Sequence, residues 1–247
     1  MLKKLLPLAL FSFVVPAQAD TLLGLYVGAQ GWRAEAEGGF ANSQSVTDFS
    51  FKDKTLASYY VALEHPVPLV PNIKISRQNI ETQGNSLLSS SFSFAGESFA
   101  AGTDLNGALD MDSTDYTLYY EIFDNDILSL DVGLTGRDVD GVLMASAGSQ
   151  ITEQSFSGIV PLLYGKVEVG MPLTGLALQA QGNFLALDDN KLYDYQAAVT
   201  YSLLDNIAVD MTLQLGYRVY LLELDDMDDI YTDMEFKGVF AGVELHF

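Results

Sequence analysis

Between Ile207 and Val219 the chain alternates. Ile207, Val209, Met211, Leu213, Leu215, Tyr217 and Val219 are apolar, and Asp210, Thr212, Gln214, Gly216 and Arg218 lie between them. A strand points successive side chains to opposite faces, so this segment has one apolar face and one polar face. Ten segments of this kind occur from Leu22 onward, among them Leu23 to Trp32, Thr55 to Glu64, Thr114 to Phe123 and the final Val239 to Phe247. Hydrophobic residues make up 49% of the chain, yet no run approaches the roughly 20 apolar residues of a membrane helix. The chain is greasy at every second residue and nowhere continuously so.

Alternation alone fits a soluble sheet as well as a membrane barrel. The connections separate the two. His65 to Asn72, Asp124 to Asp126, Pro172 to Gly175 and Asp205-Asn206 read as turns, the first stiffened by three prolines that cannot donate ladder hydrogen bonds. Most of the other connections read as polar loops: Arg33 to Lys54, Gln83 to Ser113, Asp138 to Ser157 and Asp225 to Asp233. The third segment pairs Ile73 with Ile75 and loses its alternation beyond Arg77, which predicts a bulge or an exit from the sheet. Phe92, Phe94 and Phe99 are expected to fold back over the mouth. Short turns on one side and longer loops on the other, with an even strand count, is the transmembrane-barrel pattern. In lipid the sheet must close, because an open edge leaves backbone groups without partners. The expected fold is all-β: a transmembrane antiparallel up-and-down β-barrel of about ten strands, with eight and twelve as the alternatives.

The N-terminus reads as a secretory signal. Lys3 and Lys4 precede an apolar stretch, Leu5 to Val15, and Pro16-Ala17-Gln18-Ala19 ends in a small-x-small cleavage pattern. Residues 1–19 are therefore expected to be removed and 20–247 to form the barrel. The last residues resemble the closing strand of a Gram-negative outer-membrane barrel, whose terminal Phe and alternating apolar residues are its assembly signal. Phe247, Leu245 and Val243 carry that resemblance. The stretches His65-Pro-Val-Pro-Leu-Val-Pro-Asn72, Thr114-Asp-Tyr-Thr-Leu-Tyr-Tyr-Glu-Ile-Phe-Asp-Asn-Asp126 and Leu130-Asp-Val-Gly-Leu-Thr-Gly136 resemble a family of small outer-membrane barrels of marine gammaproteobacteria. That family carries no established activity, so the resemblance implies fold and location only. OmpW-type barrels are a looser analogy in size and in the glycine-spaced first strand. The implied location is the outer membrane of a Gram-negative bacterium with both termini periplasmic. The implied partners are membrane lipid, lipopolysaccharide and the outer-membrane assembly machinery.

The formal charge of −21 argues against a nucleic-acid partner, which needs a basic face. Without cysteine there is no disulfide framework, thiolate metal site or cysteine nucleophile. The polar faces collect Glu64, Lys74, Glu121, Asp131, Arg137, Lys166, Glu168, Asp194, Asp210, Arg218, Glu244 and His246 as candidate lumen charges. In a narrow barrel these either pair as an internal salt-bridge network or line a constricted, cation-preferring pore. Asp225 to Asp233 is the densest acid run. It lacks the glycine and final Glu of an EF-hand, which leaves a solvated loop or weak divalent-cation binding. Only two histidines exist, His65 in the proline turn and His246 at the end of the chain, so catalysis is not expected, and neither is a cofactor. The leading functional reading is a structural or narrow small-solute pore. A surface-loop adhesin or receptor is the alternative, and a barrel enzyme comes third.

Two outcomes follow. Mass spectrometry of the outer-membrane fraction should find Asp20 as the mature N-terminus. Deleting Phe247 should leave processing intact while lowering the heat-modifiable, folded form on unboiled gels.

Overall fold

The computed structural model describes residues 23–125, 127–187, 190–206, 209–227 and 229–247. The expected signal segment, Asp126, Asp188, Asp189, Ile207 and Asp228 lie outside the described residues. Fourteen strands are described: β1 (Gly24–Ala41), β2 (Thr47–Asp48), β3 (Ser50–Phe51), β4 (Lys54–Glu64), β5 (Asn72–Leu87), β6 (Phe92–Phe94) and β7 (Glu97–Phe99) in the first half. The second half holds β8 (Asp104–Asp124), β9 (Leu128–Ala147), β10 (Gln150–Met171), β11 (Leu176–Leu187), β12 (Asn190–Leu204), β13 (Asp210–Met227) and β14 (Ile230–His246). Ten of them, all but β2, β3, β6 and β7, follow one another antiparallel around a closed ring. β14 returns to β1, pairing Leu245 with Val27 and Val243 with Ala29. Phe247 extends that seam, exchanging amide hydrogen bonds of 2.9 and 3.1 Å with Leu25.

The ladder gives the barrel its shape. Stepping across paired residues from Leu25 through Leu63, Ile73, Leu118, Leu134, Leu163, Phe184, Tyr193, Leu221 and Glu235 returns to β1 at Glu37. The register has climbed from residue 25 to residue 37 of the same strand. At about 3.3 Å per residue and about 4.8 Å between strands, that stagger tilts the strands by roughly 40°. Each strand can therefore be long without making the barrel tall.

Around the end where the described chain starts at Leu23 and stops at Phe247, here the terminal end, the outward face is apolar. Val27, Val61, Ile75, Leu118, Val132, Leu178, Val199, Leu215 and Val239 all stand exposed there, and so do Tyr59, Tyr116, Tyr195 and Tyr217. The inward face of the same stretches is polar and buried: Leu215 is 65% exposed and its neighbour Gln214 only 5%. A closed sheet with an apolar outer belt suits a lipid surround.

Beyond the belt the pattern inverts, and here the structure corrects the expected loops. In β8, Tyr116 and Leu118 point out while Asp115 and Thr117 point in; a few residues earlier, Leu105, Leu109 and Met111 point in and Asp104, Asp110 and Asp112 point out. β1 switches likewise, from Val27 outside to Trp32 and Ala34 inside. All four expected loops are therefore partly wall. Asp138 to Ser157 is the β9–β10 hairpin, turning at Gly148, whose φ of +60° lies in the left-handed region that favours glycine. The expected loop Arg33 to Lys54 begins as β1. Within the expected loop Asp225 to Asp233, β13 runs on to Met227 and β14 starts at Ile230. β5 does not leave the sheet at Arg77; its ladder with β8 continues to Leu87, opposite Asp104. Outside the membrane belt water replaces lipid, so polar side chains belong outside and the apolar parity moves to the core.

The belt predicts an asymmetry. In lipid vesicles, Leu215→Arg should cost about 2–4 kcal/mol in a urea titration, the cost of a cation on the lipid face. Asp140→Arg, outward-facing beyond the belt, should change stability little.

Candidate functional site: a divided barrel lumen

Inward-facing residues form three successive zones. At the end with the termini lies a cavity of about 220 Å³. The rings of Tyr26, Tyr60, Tyr119 and Tyr164 and the carboxylates of Glu64, Glu121, Asp131, Glu168 and Glu244 wall it, together with Lys74 and Lys166. Tyr60 lies flat against β1 because its partner across the ladder is Gly28; a Cβ there would meet the ring at 2.2 Å. Tyr119 donates to Glu64 at 2.7 Å, Tyr60 donates to Glu244, and Gln179 donates to Glu168 at 2.9 Å. Lys74 donates to Gln181 at 3.2 Å and its ammonium stands 4.3 Å from the centre of the Tyr60 ring. Lys166 approaches one oxygen of Asp131, Oδ2, at 4.0 Å. The other, Oδ1, is buried without a hydrogen-bond partner. At the rim His246 stacks on Tyr26 with ring centres 4.1 Å apart and faces Asp210 at 3.5 Å.

Above this vestibule the lumen is crossed by a charge-balanced knot. Arg137 donates from Nε and Nη2 to the two oxygens of Asp115, both at 2.7 Å, and from Nη2 to Asp194 at 2.7 Å. Arg218 donates to both oxygens of Asp194 at 2.8 Å and to Gln78. Its guanidinium lies 4.8 Å from the Trp32 ring, while that of Arg137 lies 5.5 Å from the Tyr220 ring. Arg137 is 0% exposed, and Asp115, Asp194 and Arg218 are 7% each. Two guanidinium groups and two carboxylates cancel in charge, and forked donor pairs suit carboxylate geometry. Around them Gln30 donates to Gln214 at 3.1 Å, and Thr117 and Thr135 lie 2.7 Å apart.

The third zone is an apolar core filling the far end. Phe40 stacks on Phe49 at 4.9 Å and tilts against Phe94 at 4.9 Å, with Phe92 and Phe99 beside them. The β6–β7 hairpin that carries the last three folds inward. Its Ala95 amide donates to Asn42 at 2.6 Å, and Thr152 donates to its carbonyl at 3.2 Å. An apolar pocket of about 100 Å³ lies between Phe156, Val160, Leu185, Leu192 and Leu222, next to the place where the β10–β11 ladder stops, at Leu163 and Phe184.

The structure distributes the candidate charges among three places. Arg137, Asp194 and Arg218 enter the knot; Glu64, Lys74, Glu121, Asp131, Lys166, Glu168 and Glu244 line the vestibule; Asp210 and His246 stand at the rim. Asp115 completes the knot although it was not among the candidates. It shares the inward parity of Thr117 and Glu121, which was the signal available. Tyr26, Tyr60 and Tyr164 share the polar parity of their strands, yet none of the four vestibule tyrosines was a site candidate, because the candidates were the charged residues of that face. In the acid run, Asp233 has its carboxyl raised above the ordinary range by burial and then by Glu223 and Asp48. Among the described residues no three His, Cys, Asp or Glu side chains gather as a metal ion requires. Val243 and Leu245 lie in the closing seam with Phe247.

No protein-family model matches the chain, and no curated protein matches it in sequence. Solved structures with related folds exist at low likeness. The transport unit of the autotransporter AIDA-I from Escherichia coli is 6% identical, covers 94% of this chain and 92% of its own, and has a TM-score of 0.47. The outer membrane protease OmpT from Escherichia coli is 8% identical over 91% and 96%, with a TM-score of 0.47. The Pseudomonas putida toluene transporter TodX is 7% identical over 92% and 90%, with a TM-score of 0.34. All three are barrels, and likeness this distant assigns none of their activities. The fold stands on this chain's own closed ladder. It is a ten-stranded transmembrane-type barrel.

Removing one member of the knot strands its partners. Arg137→Met should destabilise the barrel by about 3–5 kcal/mol, because two buried carboxylates lose a cation. Reversible urea unfolding with Arg33→Met as the exposed control measures it; Arg33 meets Asp53 at 3.3 Å on the surface and should cost well under about 1 kcal/mol.

Proposed function

We propose that the protein is an outer-membrane barrel of a Gram-negative envelope whose lumen is sealed rather than conducting. In this reading residues 1–19 are removed on export and the termini face the periplasm. The apolar belt meets membrane lipid and lipopolysaccharide, and the closing strand with Val243, Leu245 and Phe247 is what the assembly machinery receives. The observation that carries the reading is the full burial of Arg137 between Asp115 and Asp194. An ion passing there would have to part hydrogen bonds between charges already shielded from water, and breaking a buried pair costs several kcal/mol. The aromatic core beyond it is a second seal. A structural role is thus favoured over the narrow pore. The adhesin or receptor reading loses support because the segment between β5 and β8 shrinks to 88–103 and folds its phenylalanines inward. No catalytic role is assigned.

Purified barrel in a planar bilayer should show no channel steps in either polarity. Regular, cation-selective steps would favour the pore instead.

A further inference from the structure

We propose that the vestibule at the terminal end is a binding site for a small aliphatic diamine or polyamine. Beyond its inner end, Tyr60, Lys74, Tyr164 and Gln181 share a further space with Asp115, Asp194 and Arg218 of the knot. The vestibule's charge is far from balanced: Glu64, Glu121, Asp131, Glu168 and Glu244 face Lys74 and Lys166. The knot just above matches its charges one for one. A carboxylate removed from water without a counter-charge is costly, so a partly enclosed acid excess draws in cations.

An acid cluster alone does not define a ligand. A second observation comes from Asp131, which is 2% exposed and lines the cavity; its Oδ1 has no hydrogen-bond partner. A buried charged acceptor left open is the place for a donor the chain itself does not supply. The walls say what kind of donor. Ring faces attract ammonium groups, and Lys74 shows this one does so, with its Nζ 4.3 Å from the Tyr60 ring centre and 5.9 Å from that of Tyr164. A bare metal ion fits poorly, because among the described residues no three carboxylates converge. Acids spread along a tyrosine-lined chamber suit an extended cation with an ammonium at each end and methylenes between. A cavity of about 150 Å³ accepts benzene. The roughly 220 Å³ here therefore has room for putrescine, which has as many heavy atoms as benzene.

The test is calorimetric titration of the full-length mature barrel, folded in non-ionic detergent, with putrescine, butylamine, and sodium or magnesium chloride at matched ionic strength. The expected result is saturable one-site binding of putrescine, tighter than butylamine and not displaced by the salts. Asp131→Asn should weaken it about tenfold, the worth of one charge-assisted hydrogen bond, and Asp140→Asn on the outer surface should leave it unchanged. Heat-modifiability on gels confirms that each variant is folded. Glu121→Gln, nearer the cavity mouth, serves if Asp131→Asn does not fold, and should also weaken binding. Putrescine binding that Asp131→Asn or Glu121→Gln leaves untouched overturns the proposal. So does displacement by salt in proportion to ionic strength, which would mean a diffuse counterion atmosphere. Proton uptake by the vestibule near neutral pH with no putrescine binding would mean that the acids are neutralised by protons, and overturns it too. Channel recordings do not bear on any of these outcomes, so the site and the sealed lumen stand or fall separately.

Discussion

Everything in this molecule depends on the pairing of β14 with β1. Until those strands meet, two edges expose unpaired amides and carbonyls, which the interior of a membrane cannot solvate. Pairing them removes both edges at once and fixes the stagger that carries Leu25 round to the level of Glu37. The tilt, the width of the lumen and the level of every inward side chain follow from that one register. A slip of one residue would turn the apolar belt inward on a whole strand.

The lumen is narrow enough that side chains from opposite walls meet, so its interior is a core rather than a channel. Arg137 on β9 reaches Asp115 on β8 and Asp194 on β12; Arg218 on β13 joins Asp194 and reaches Gln78 on β5. Four charges cross-link five strands. A knot of this kind is weak evidence for added stability, since desolvation offsets much of the attraction. Its clearer consequence is on registry: a strand slipped by one residue turns its member of the knot to the outer face and strands the buried charge it serves. The vestibule makes the opposite choice. Glu64 and Glu244 keep tyrosine partners and Glu168 a glutamine, Asp131 is buried beside Lys166, and the whole leaves an excess of negative charge.

The wall also changes its solvent along its length. Near the termini it separates lipid from a polar lumen; beyond the belt it separates water from the aromatic core around Phe40, Phe94 and Phe236. A single strand such as β8 serves both regimes by switching which parity is apolar between Met111 and Tyr116. The inward β6–β7 hairpin is part of the same economy, covering with Phe92, Phe94 and Phe99 a core that would otherwise face water.

Residue order alone determined the strands of the belt, the inward parity of Lys74, Arg137 and Glu244, and the closing role of the last segment. These rest on local periodicity, and a strand's two faces are set by its own backbone. It did not reveal the strand extensions in Asp138 to Ser157 or beyond Arg77, because polar-out, apolar-in alternation in short glycine-bearing stretches reads as a loop when apolar-out is the pattern sought. Nor could it divide the charges. Arg137 meets Asp194 rather than Asp131, and Asp131 is left with an open oxygen, because stagger and tilt set which inward residues share a level. That level is a property of the closed ring, and no stretch of the chain contains it.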